Sequence, residues 1–124
     1  MSNLILAKAF TAAAAIAPYR IVRLASADTV EQAAAVANAL IGVNTDLTIA
    51  ANERVEVMVQ GIAWVEAGAA ISIGSLVTTD SVGRGVAAAP AAGVNNRHIG
   101  IALDAAVAAG DQIRVLLSPG QVQG

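Results

Sequence analysis

Arg54-Val55-Glu56-Val57-Met58-Val59-Gln60 and Gln112-Ile113-Arg114-Val115-Leu116-Leu117 decide the fold of this chain. Val55, Val57 and Val59 alternate with other residues in the first stretch, and Ile113, Val115 and Leu117 do so in the second. Successive side chains of an extended strand point to opposite faces, so a period of two marks a strand with one buried face. Four more segments, 20–25, 62–66, 76–79 and 99–103, are rich in β-branched residues and bounded by turn formers, and are expected as strands. Asp80-Ser81-Val82-Gly83-Arg84-Gly85 carries the glycines that a tight hairpin needs. Further turns are expected at 44–46, 51–52 and 109–111, and Asn95-Asn96-Arg97-His98 reads as a polar turn entering the strand at Ile99.

One segment pulls the other way. Thr29-Val30-Glu31-Gln32 matches a capping box, and the Ala-rich run to Leu40 is good helix material that Gly42 could close. Local propensity therefore favours a helix over 30–41, whereas the β context favours a strand at 29–33 and a short helical turn near 36–40.

The chain also repeats itself. Ile41-Gly42-Val43 and Ile99-Gly100-Ile101 lie 58 positions apart. The same offset pairs Ala50-Ala51-Asn52-Glu53 with Ala108-Ala109-Gly110-Asp111, and then Val55, Val57, Met58 and Val59 with Ile113, Val115, Leu116 and Leu117. Residues 20–25 and 76–79 occupy similar places at a shifted offset. Two like halves, about 19–60 and 75–118, are expected to pack as a pseudo-two-fold β-barrel or sandwich. Residues 1–18 would form an extended N-terminal arm ahead of a single domain at 19–124, with at most one or two short helical turns.

Composition limits what such a chain can do. Alanine accounts for 30 of 124 residues, and Phe10, Tyr19 and Trp64 are the aromatics. Alanine buries little area, whereas an aromatic buries roughly 150–250 Å², so support from an oligomer or a larger surface is expected. The net charge is −2 and the seven basic residues are scattered singly. Nucleic-acid binding needs a basic stripe, so no nucleic-acid partner is expected. With no cysteine, disulfides and thiolate chemistry are excluded, while the redox compartment stays open. The apolar stretch at 9–17 is too short to span a bilayer, and no membrane partner is expected. The N-terminus lacks a basic n-region and Lys8 interrupts its apolar run, which speaks against a cleaved signal.

A search for chemistry finds little. His98 is the single histidine and has no evident second ligand or catalytic partner, so a structural role is expected. The nine carboxylates fall mostly at turns or exposed faces, and Glu53 and Glu56 belong to opposite faces. Neither the stretch 68–74 nor Gly83-Arg84-Gly85 has the ending or the following helix of a phosphate loop. No cofactor or metal is expected, and no enzymatic activity. The candidate contact residues are Trp64, a core residue or a subunit anchor, and Leu4, Ile5 and Phe10 of the apolar N-terminal arm, with Tyr19 at its end.

Several pieces in fixed order resemble a known family. They are Tyr19-Arg20-Ile21-Val22, Ala39-Leu40-Ile41-Gly42-Val43, Ala50-Ala51-Asn52-Glu53-Arg54-Val55-Glu56-Val57 and Gly61-Ile62-Ala63. Gly74-Ser75-Leu76-Val77-Thr78-Thr79-Asp80, Ile99-Gly100-Ile101-Ala102-Leu103 and Ala109-Gly110-Asp111-Gln112-Ile113-Arg114-Val115 follow. From Tyr19 to Pro119 the chain resembles the tailed-phage capsid cement, or head decoration, proteins. That resemblance implies an all-β, small β-barrel or β-tulip-like fold. It also implies a virion protein on the outer surface of the expanded capsid, made in the host cytoplasm. Its partners would be the major capsid protein and itself, as a homotrimer or else a dimer. No catalytic residue is implied. Two other readings are a head fibre or adhesin base that binds host glycans, and a small-ligand-binding β-barrel or accessory domain, which would need a pocket lined by larger apolar side chains.

Overall fold

The structure, a computed structural model, describes residues 4–124, with side chains described from Leu6 onward. It is all-β. The strands are β1 (Leu4–Ala12), β2 (Ile21–Ser26), β3 (Thr29–Gln32), β4 (Leu40–Asn44), β5 (Arg54–Glu66), β6 (Leu76–Thr79), β7 (Gly85–Ala87), β8 (Asn95–Ala102) and β9 (Gln112–Gln123). They order as β1-β3-β2-β4-β5-β9-β8-β6-β7, and β1 pairs with β5 as well. This extra ladder closes β1, β3, β2, β4 and β5 into a five-stranded barrel. A second set, β9, β8, β6 and β7, starts from the far half of β5 and returns to it through a parallel bridge between Ala67 and Gly85. β5 therefore serves two barrels, pairing with β1 and β4 over its first half and with β9 from Ile62 onward. Gly61, at φ 106°, marks the passage between them.

The repeat extends further than its sequence trace. Met58 pairs with Val43, and Leu116 with Ile101, at the offset of 58. Ahead of these the offset is 55: the register Phe10 opposite Val55 recurs as Val65 opposite Ile113, and the Ala12–Val30 pairing recurs as Ala67–Gly85. Backbone hydrogen bonds follow suit, Ala12 N to Glu53 O and Ala67 N to Asp111 O at 2.8 and 2.7 Å. Three left-handed positions match as well. Tyr19, Asp28 and Asn52 have φ of 60°, 59° and 70°, and their counterparts are Gly74, Gly83 and Gly110.

This corrects the expected N-terminal arm. Residues 4–12 are the first strand of the first barrel, equivalent to the second half of β5, and Phe10, Ala12 and Ile16 are buried. The segment folds back on its own sheet because β5 offers an open edge there, and an unpaired edge is costly to leave exposed. The conflict at 29–41 resolves as a strand at 29–32 followed by a turn at 36–37. Val30 and Ala33 are buried and Ala33 N donates to Ile21 O, so tertiary packing overrides helix propensity. Gln32 does not cap. Its amide bridges Ala17 N and Val82 O instead. Residues 95–98, expected as a turn, belong to β8, and the strands expected at 54–60 and 62–66 are one.

The cores explain the composition. A barrel's width grows with strand number, so five strands leave a narrow interior. Phe10, Ala12, Ile16, Val22, Val30, Ile49, Val55 and Val57 fill the first barrel. Ala63, Val65, Ala67, Ile71, Val77, Ala102, Ala106, Ile113 and Val115 fill the second, in one cluster with Ile21, Leu40, Val43 and Met58 from the outside of the first. The barrels thus meet side to end. The β6–β7 turn sits against β2, with Ile21 N donating to Gly83 O and the Arg20 guanidinium to Val82 O at 2.7 and 2.8 Å. A repeat packed across a two-fold axis would bury equivalent residues equally, and this one does not.

Gly42 and Gly100 are equivalent points of close strand approach, where an added Cβ would collide with the carbonyl oxygens of Met58 and Leu116. Gly42→Ala and Gly100→Ala are each expected to lower stability by about 2 kcal/mol, read as a lower midpoint in urea unfolding.

Candidate interaction surface

Among the described residues no group of three or more His, Asp or Glu could hold a metal ion. His98 lies in β8 opposite Gly120, and its Nδ1 is buried without a hydrogen-bond partner among the described residues. An open pocket of about 290 Å³ beside it is lined by Leu40, Arg97, Pro119, Gly120 and Gln121. Its lining holds one cation and neither nucleophile nor carboxylate. No described helix is long and apolar enough to cross a membrane.

The loops at one end of each barrel are apolar. Antiparallel bridges, Ile16 to Ile49 in the first barrel and Ile71 to Ala106 in the second, lead into these ends. Beyond them, Leu47, Ile73 and Val107 face solvent, Ile73 at 70% and Val107 at 84% exposure. Exposed alanines lie in the same bridged loops: Ala13, Ala14 and Ala15 in the first barrel, and Ala69, Ala70, Ala105, Ala108 and Ala109 in the second. Single exposed hydrophobics are ordinary, but clustered ones mark interaction sites.

Hydrogen bonds hold these loops in place. Buried Asn44 donates to Ala17 O and Leu47 O at 3.0 and 2.8 Å, and accepts from Thr45 N. In the second barrel Asp111 accepts from Val107 N at 2.8 Å. Asp104 accepts from Arg114 Nε and Nη2 at 2.9 and 2.7 Å and from Arg114 N at 2.9 Å. The guanidinium bonds above all, and the backbone bond after them, hold the Asp104 carboxyl down at about 2, while Arg114 is held more firmly protonated. A loop fixed before contact loses less entropy on docking.

A second apolar feature crosses the outside of the second barrel. Ile62 pairs with Leu116, Leu116 with Ile101, and Ile101 with Leu76, so the four form one row across β5, β9, β8 and β6. Trp64 lies on the same face of β5, half-buried and opposite Arg114. The other candidates fall elsewhere. Phe10 is buried in the first barrel with the Lys8 ammonium 4.4 Å from its ring centroid, and so is no surface anchor. Tyr19 is a backbone joint, its N–H donating to Thr45 O and its carbonyl accepting from Glu66 N. Leu4 and Ile5 have their backbone in β1, and their side chains lie outside the described residues. Ile73, Val107 and Leu116 were not singled out from sequence. The uncharged run from Gly68 to Ser75 was the available signal for Ile73. Nothing distinguishes Leu116 from its buried counterpart Met58.

No curated protein matches the chain. Among solved structures, the crystal structure of the head fiber gp8.5 N base in bacteriophage phi29 is similar in fold, with a TM-score of 0.66 and 17% identity over 96% of this chain and 98% of that one. The family profile described as phage cement protein matches residues 3–117. With nearly its whole length matched, this all-β double barrel belongs to the phage cement protein family, a family of virion structural proteins.

Proposed function

We propose that the protein binds the exterior of the expanded phage capsid and stabilises it by bridging major capsid protein subunits, acting as self-associated copies, with a homotrimer preferred to a dimer. The observation that carries this reading is the apolar loop end of the second barrel, where exposed Ile73 and Val107 lie on loops joined by the Ile71–Ala106 bridge and the Val107 loop is tied to Asp111, which suits an uncharged footing on another protein. Packaged DNA presses shell subunits apart, and a protein spanning a seam adds its binding energy to that seam. Linked copies need only modest affinity per site, because later contacts are intramolecular. The reading needs no cofactor, nucleic acid or membrane. It places the protein on the outer capsid surface after synthesis in the host cytoplasm. A second reading, the base of a head fibre, draws on the fold likeness to the gp8.5 N base. Glycan binding by the isolated protein would favour it.

Co-sedimentation with emptied, expanded capsids tests the first reading. The wild-type chain is expected in the pellet, and Ile73→Asp and Val107→Asp are each expected to weaken binding about tenfold, or 1.4 kcal/mol. An unbound wild-type chain would refute it. The loop anchor has its own test. Asp104 titrates in the folded protein at about 2, below its ordinary 3.8. Its contribution to stability is therefore complete above the ordinary value and is lost as pH falls through about 2. Carboxyl carbon shifts are expected to give that midpoint, and Arg114→Ala to raise it only part of the way to 3.8, because the backbone N–H at position 114 still bonds to Asp104, while weakening capsid binding.

A further inference from the structure

The side-to-end joint between the barrels leaves one copy of each of its two surfaces unused. On the first barrel, the outer row Ala7, Met58, Val43 and Ile21 runs across β1, β5, β4 and β2, and Met58, Val43 and Ile21 are buried in the cluster that fills the second barrel. The cluster they join takes in Ile99 and Leu117 at the end of the second barrel, where Gly61 and Thr79 are buried as well.

The repeat supplies a counterpart for every one of these residues. The row Ile62, Leu116, Ile101 and Leu76 on the second barrel is the equivalent of the covered row. Met58 is 6% exposed and Leu116 is 42% exposed, and Leu76 and Ile101 are only half-buried. The equivalent barrel end, on the first barrel, is made by Leu6, Leu24, Ile41 and Val59. Thr79 is 3% exposed where its counterpart Leu24 is 39% exposed, and Ile41 and Val59 are half-buried. Both unused surfaces are apolar. Each has the shape class of a surface that this chain already buries against the other.

We infer that the outer row of the second barrel in one copy docks on the open end of the first barrel in another copy, reproducing between chains the joint that each chain makes within itself. The partner is a second copy of this chain. The contact is heterologous, so it closes into a ring or runs on as a filament; a closed ring is the form that agrees with the homotrimer proposed above. The inference rests on the self-association in that reading and not on capsid binding.

Light scattering over a concentration series, without capsids, tests it. The wild-type chain is expected to reach a multiple of its 12.3 kDa mass. Leu116→Glu, which spoils the row, and Leu24→Glu, which spoils the open end, are each expected to stay at the single-chain mass. Both sites are exposed, so circular dichroism is expected to be unchanged. If either glutamate variant fails to fold, Leu116→Gln and Leu24→Gln serve with the same readout. Mixing the two variants is the decisive step. Leu116→Glu keeps an intact open end and Leu24→Glu keeps an intact row, so one joint can form and the mass is expected to double. A wild-type chain that stays monomeric, an oligomer that survives both substitutions, or a mixture that stays monomeric overturns the inference. Capsid co-sedimentation is read separately. Shell binding by a monomeric wild-type chain would sink the joint alone, and a normal ring that ignores shells would sink capsid attachment alone.

Discussion

The structure hangs on β5, one strand with two barrels to serve. Its first half is walled in by β1 and β4, and its second half is the edge on which β9 lays down the next barrel. Backbone groups on a strand must be paired or solvated, so a strand that outruns its partners calls for new ones. Gly61 lets the backbone turn at the crossing point. Because the strand is shared, the barrels cannot slide relative to one another without breaking a ladder. The contact of Ile21, Leu40, Val43 and Met58 with the second core follows from this geometry.

Five-stranded closure also explains why the interior has so little to offer chemically. Alanine, valine and isoleucine fill both barrels, with Phe10 added in the first, and a bulky polar group could not enter without forcing strands apart. The polar residue buried most completely, Asn44, spends its amide on the backbone at Ala17, Leu47 and Thr45. Whatever such a molecule does, it does with its outside. The apolar loop ends and the outer row of the second barrel are the parts of that outside least suited to water.

Much of this was legible in the sequence, for physical reasons. Period-two alternation at 54–60 and 112–117 shows wherever one strand face is buried and the other is not. The offset of 58 showed because Gly42 and Gly100 are each held by a carbonyl with no room for a side chain. The first strand was missed as part of the barrel. Ala12 to Ile16 does match Ala67 to Ile71 at an offset of 55, but a run of alanines carries almost no register. Thr29 to Gln32 misled because a capping box is a local signal, while Gln32 is committed to partners in two distant loops. Met58 and Leu116 are both large and apolar at equivalent positions. Only the placement of the second barrel decides which is covered.

The left-handed residues bear on how the two halves arose. Tyr19, Asp28 and Asn52 hold in the first half the torsions that Gly74, Gly83 and Gly110 hold in the second. Asparagine and aspartate tolerate that region, but for tyrosine it is a strained choice, costing on the order of 1–3 kcal/mol. Gene duplication followed by drift would leave such a record. Many side chains diverged outside the buried positions, whereas a positive φ at three bends was kept, at Tyr19 even against its energetic cost. Ancestry in this fold is written more durably in its torsions than in its residues.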